Sequence, residues 1–158
     1  MFTVTFEGLD DLERQWDRAV ASTLIDELRA AVARVSSMAA TEAKQTHRYN
    51  DQSGDLTRSI VVLPTILTRW TISGGIRAGA KYASYVEGGT KPHDILPKTL
   101  GGTLSFSVGG RQVFTKKVHH PGTKPHPFMG QAYFRAERAL PIECEKACEK
   151  FAEVMNRE

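Results

Sequence analysis

Apolar residues at Leu9, Leu12, Trp16, Val20, Leu24, Leu28, Val32, Val35 and Ala39 recur in steps of three and four. That spacing puts them on one face of an amphipathic helix. Asp10 is placed to cap its start, with Glu13 as the reciprocal partner of a capping box. Carried on to Thr46, the helix has about 37 residues and a length of about 55 Å. A compact domain of this size has a radius of gyration of about 15 Å. The helix therefore overhangs its own domain unless it breaks near Ser36 and Ser37. Overhang predicts that Leu24, Leu28, Val32 and Val35 form an assembly surface for a neighbouring subunit or another protein.

The remaining elements are short. Phe2–Phe6 alternates apolar and polar residues, as a half-buried strand does. Residues 49–55 are turn-rich. Ser59–Leu63 and Trp70–Ile76 are strand-like, and Ala80–Glu87 can form a short helix ended by Gly88 and Gly89. Gly109-Gly110 between Leu104–Val108 and Arg111–Val118 predicts a hairpin that pairs Val108 with Arg111 and Phe106 with Val113. From Phe128 to Met155 a second apolar stripe predicts a terminal helix, kinked or split at Pro141. The expected fold is α+β over a single domain, 1–158. A long N-terminal helix and a C-terminal helix pack on a small, mainly antiparallel sheet that carries a β-hairpin.

Charge is uneven. Residues 1–57 carry −4, residues 58–126 carry +8, and residues 127–158 carry −1. The basic middle suits nucleic acid or an acidic protein surface. Its cations are dispersed, without the interleaved aromatic residues of single-strand binders. No run of 18 apolar residues predicts a membrane span. The opening MFTVTFEGLDD lacks the basic and apolar regions of a secretory signal. Cys144 and Cys148 lie one helical turn apart and make no disulfide framework, which fits a reducing compartment.

Catalytic constellations are not evident. His93, His119, His120 and His126 cluster in sequence. Adjacent residues of an extended chain point opposite ways, and no zinc-ligand spacing supports the four histidines, so no metal site is expected. Gly-Gly-Ile-Arg-Ala-Gly at 74–79 matches neither the dinucleotide nor the Walker pattern, and no cofactor is expected.

The pentapeptide Gly-Thr-Lys-Pro-His occurs at 89–93 and again at 122–126. Proline keeps the preceding Lys91 and Lys124 extended, and glycine permits a sharp reversal just before. The two copies read as two chain corners with the same turn chemistry.

Three segments resemble the tail-completion, or head–tail joining, minor structural proteins of long-tailed bacteriophages. They are SGDLTRSIVV at 53–62, AKYASYVEGGTKPHDILPK at 80–98 and HHPGTKPHPFMGQAYFRA at 119–136. The residues that carry the likeness are Tyr82, Tyr85, Glu87, Gly88, Gly89 and Thr90, then His120, Pro121, Gly122 and Thr123, then Pro127 and Phe128. The likeness runs from about residue 9 to the end of the chain; the Phe2–Phe6 strand has no place in the family pattern. The resemblance implies a non-enzymatic virion protein, assembled in the host bacterial cytoplasm, that forms a hexameric or dodecameric ring in the neck. It implies contacts with copies of itself, with a head-side adaptor or connector, and with a tail-tube or tail-terminator protein. DNA would pass through the lumen without specific recognition, and no membrane is involved. The alternative is a nucleic-acid-binding module using residues 58–126.

Overall fold

The structure, a computed structural model, describes residues 1–5, 18–45, 51, 53–68 and 71–156. In chain order the elements are β1 (Phe2–Thr5), α1 (Arg18–Gln45), α2 (Asp55–Ser59), β2 (Ile60–Leu67), β3 (Thr71–Ala78) and α3 (Ala83–Gly88). They are followed by β4 (His93–Ile95), β5 (Leu104–Val108), β6 (Arg111–Thr115), β7 (Val118–His120) and α4 (Phe128–Met155). The fold is α+β, as the periodicities predict. Its strands fall into three antiparallel sheets: β1-β3-β2, β4-β7 and β5-β6. Leu9, Leu12, Trp16, the Asp10 cap, Glu13, Phe6 and Thr46 lie outside the described residues.

Helix α1 does not break at its serines. Ser36 Oγ donates to Val32 O at 2.8 Å, and Ser37 Oγ donates to Ala33 O at 3.0 Å. Hydroxyls bonded back to the preceding turn are satisfied inside a helix, which removes the reason for a break. Ser36 is also buried, because α1 lies directly on β3. Gly74 makes that approach possible: a Cβ there would stand 2.7 Å from Val32 Cγ1 and 2.8 Å from Ser36 Oγ.

Helices α1 and α4 have 28 residues each, about 42 Å, and run antiparallel. Small residues line the seam: Ala31, Ala39 and Ala43 from α1, and Ala132, Ala136 and Ala147 from α4, are all buried. Among the described residues three ion pairs cross it: Lys150 to Glu27, Arg34 to Glu143 at 2.8 Å, and Arg135 to Glu42 at 2.8 Å. Successive pairs step by seven or eight residues, about two helical turns. They mark one register along the whole seam. Surface pairs of this kind contribute about 0–1 kcal/mol each. The apolar burial contributes more, roughly 1.5–3 kcal/mol for each fully covered Val, Leu or Phe.

This arrangement corrects the expected assembly surface. Leu28 is 4% exposed, and Val32 and Val35 are 0% exposed; Leu24 is half-buried against the same cluster. Here a second helix of equal length covers the first, and burial on α1 runs from Ala21 to Ala43. Leu28, Val32 and Val35 hold the subunit together and are closed to a neighbour.

The core forms two clusters, one around Val35, Leu56, Ile60 and Phe128, the other around Leu28, Val32 and Ile72; Leu140 packs against both. Phe2 ties β1 to α4 by stacking on Tyr133, with ring centroids 5.2 Å apart. Strand β2 is an outer strand, and Pro64 sits where its pairing with β3 shifts register between Leu63 and Ile66. Proline is tolerated there because it has no N–H to lose from the ladder. Helix α4 continues through Pro141, which lies on the solvent side. The hairpin has the predicted register, Val108 with Arg111 and Phe106 with Val113, with positive φ at Gly109 and Gly110.

Candidate functional site

The two pentapeptides meet. Thr90 N–H donates to Thr123 O and Thr123 N–H donates to Thr90 O, both at 3.1 Å. The Thr90 and Thr123 hydroxyls also lie 3.1 Å apart, and Thr90 Oγ1 accepts a second bond from Thr123 N–H. Just before each threonine, Gly89 (φ 68°) and Gly122 (φ 86°) turn the chain in the left-handed region. Each glycine faces the carbonyl oxygen of the opposite threonine: an added Cβ would lie 2.5 Å from Thr123 O at Gly89, and closer still to Thr90 O at Gly122. The corners thus clasp each other about a local two-fold.

Beyond the clasp the chains continue as β4 and β7, which pair His93 with His120 and Asp94 with His119. The His93 and His120 rings stack with centroids 5.1 Å apart. His120 Nδ1 accepts the Gly122 N–H at 3.0 Å, which fixes its lone pair inward; His93 Nδ1 donates to Lys91 O at 2.9 Å. His119 points the other way, to Asp94 at 3.0 Å. Lys117, which hydrogen-bonds Asp94, is the main cause holding that carboxyl below its ordinary range, with His119 second. The described residues contain no group of three or more side chains able to share a metal ion.

On the other side of the clasp, Glu87 caps α4. Its carboxylate accepts the Met129 and Gly130 N–H groups, both at 2.9 Å, and Val86 O accepts the His126 N–H at 2.9 Å. Pro127 stands at the cap position and supplies no capping side chain of its own. A distant carboxylate at the positive end of the helix does that work. Phe128 is buried directly beneath.

Together these segments wall a cleft of about 840 Å³, lined among others by Tyr82, Tyr85, Lys91, Lys124, His93 and His120. Its charged lining side chains among the described residues are the two lysines. Tyr82 stands at the start of α3 and Tyr85 projects from it, 61% exposed. The predicted motif residues therefore separate by role. Glu87, Gly89, Thr90, Gly122, Thr123, Pro127 and Phe128 build the junction. Tyr82, Tyr85 and His120 face the cleft. Pro121 is exposed, and Gly88 has open space around it. The pairing of the corners and the reach of Glu87 across 42 residues were not visible in the sequence. The repeated pentapeptide was the signal for the first; nothing local signals the second.

Two further features were also missed. Residues 55–59 form helix α2, capped by Asp51, whose carboxylate accepts the Thr57 N–H at 2.9 Å and hydroxyl at 2.6 Å. The hairpin β5-β6 pairs with no other strand among the described residues and gives no residue to either core cluster.

No curated protein and no solved structure matches this chain. The model of a bacteriophage family, described as HK97-gp10 tail component, matches residues 9–89. Among the described residues this stretch holds α1, the β2-β3 pair, α3 and the first glycine corner. No helix among the described residues is long and apolar enough to cross a membrane. With just over half of its length matched, the chain belongs to the HK97-gp10-like family of bacteriophage tail components.

Proposed function

We propose that this tail component is a neck part: a non-enzymatic, single-domain subunit that forms a ring and joins the DNA-filled head to the tail. The family match carries the reading. Its motif side chains agree with a structural role, since the Glu87 carboxylate and the Thr90 and Thr123 hydroxyls are engaged in bonds that brace the chain. The partners are copies of itself in a hexamer or dodecamer, a head-side adaptor or connector, and a tail-tube or tail-terminator protein. DNA passes through the lumen without specific recognition. The location is the virion neck, with assembly in the host bacterial cytoplasm. The test is deletion of the gene with complementation in trans. Filled heads and free tails are expected to accumulate separately, and normal numbers of joined particles would overturn the reading.

A second reading has one observation behind it. Folding brings Tyr82 and Tyr85 beside Lys91 and Lys124, a combination of stacking faces and cations that the linear sequence disperses. Single-stranded nucleic acid is bound by such surfaces. Affinity for an oligonucleotide that falls steeply with salt, and falls again in Tyr85→Ala, is the expected mark of that activity.

A further inference from the structure

The hairpin Leu104–Thr115 is an arm with both faces in solvent. Leu104, Phe106, Val108, Arg111 and Val113 share one face in register, and Phe114 stands on the other. Phe106 is 38% exposed, Val108 57% and Phe114 68%. A lone two-stranded hairpin is marginally stable in water, and an apolar face of this kind needs a cover. The arm is also cationic: Arg111 and Lys116 form no ion pair with a described residue, and β5 and β6 contain no acidic residue.

The same chain presents a complementary surface elsewhere. Glu145, Glu149 and Glu153 stand in one row along the solvent side of α4, each one helical turn from the next. Like charges at that spacing repel, and none of the three forms an ion pair with a described residue. Ile142, one turn before Glu145 by the same measure, is 54% exposed. Apolar and acidic groups thus lie together on α4, where apolar and basic groups lie together on the arm. Within one copy neither surface is covered by the core.

We infer that the arm of one copy docks on the outer face of α4 of the next copy. Phe106 and Val113 cover Ile142, while Arg111 and Lys116 meet Glu145 and Glu149. The contact is head to tail, so it repeats around a closed ring or continues as a filament. This interface rests on the proposed ring-forming neck role and names the surfaces that make the ring.

Cross-linking tests it. Val108→Cys puts a thiol at the arm tip on the docking face, and native Cys148 is exposed on α4 beside Glu149. A short bismaleimide should link Val108→Cys protein into covalent dimers and longer ladders, in particles and in concentrated purified protein. Wild type should give none. A link to a different virion protein alone, or none in either sample, overturns the interface. Absence of the protein from particles overturns the neck reading instead, and the purified sample still tests the interface. A second arm uses charge. Arg111→Glu with Lys116→Glu should cut complementing titre by about tenfold or more, as should Glu145→Lys with Glu149→Lys. Circular dichroism should show each set folded. Combining the two sets should restore titre, and a combination no better than the worse parent set overturns the pairing.

Discussion

Thr90 and Thr123, 33 residues apart, exchange both backbone hydrogen bonds and set their hydroxyls 3.1 Å from each other. The contact is closed on either side by a glycine whose missing Cβ leaves room for the opposite carbonyl. Gly89→Val and Gly122→Val should therefore each destabilise. The positive φ alone carries strain of about 1–3 kcal/mol, and each kcal/mol lowers Tm by about 2–4 °C at this chain length. Gly88→Ala is the control: nothing lies within 4 Å of the added methyl, and Tm should hold or rise slightly. Equal losses at Gly88 and Gly89 would remove the clasp as the explanation.

Glu87 is the cap of a helix that begins 41 residues later in the chain, and its two oxygens take two N–H groups there. Glu87→Ala should cost about 0.5–2 kcal/mol, the range for lost caps. Glu87→Gln keeps one acceptor but turns an amide N–H₂ toward a backbone donor, so it should recover only part of the loss. Thermal melts of the three proteins check this. A Gln variant as stable as wild type would show that charge and the second acceptor do not matter.

Val32 separates a core role from an assembly role on α1. Val32→Asp leaves an unpaired charge at a 0% exposed site and should abolish the cooperative thermal transition. Met38→Asp, at a 52% exposed site on the same helix, should stay within about 0.5 kcal/mol of wild type. A folded Val32→Asp protein would contradict the packing described.

Acid should act on the α1–α4 seam through Glu143. Its carboxyl is held below its ordinary value of 4.5, first by the hydrogen bond from Lys146 and then by that from Arg34. A carboxylate depressed in the folded state adds stability that is complete above its unfolded value and lost as pH falls through the folded one. Stability should therefore drop from about pH 4.5 downward. Glu143→Gln should be less stable at pH 7 and should lose less on acidification. Denaturant titrations at pH 7, 5, 4 and 3 read both effects. A parallel pH dependence in the two proteins would show that the pair does not contribute.

Local rules are what the sequence displays. The stripe from Leu24 to Ala39, the Gly109-Gly110 turn and the Phe128–Met155 stripe each depend on neighbours in sequence, and each takes the expected type of structure among the described residues. What could not be seen depends on distant partners. The α1 stripe says which face is buried but not against what, so α4 as its cover was invisible. The strand expected to end at Leu63 runs on through Pro64 to Leu67, because an outer strand tolerates a missing donor. At the candidate site the pentapeptide showed two similar corners, while their contact needed the fold that carries them to one place.

Pro64 has a consequence for the subunit before it is incorporated. Among the described residues β2 presents an unpaired backbone edge, and a flat edge of Val61, Val62, Ile66 and Leu67 would invite another chain to add a strand. Proline and the shifted register deny it a continuous row of donors, and β1 at the opposite margin is only four residues long. Newly made copies are thereby kept from adding strand to strand at this margin, which leaves other surfaces to govern how they associate.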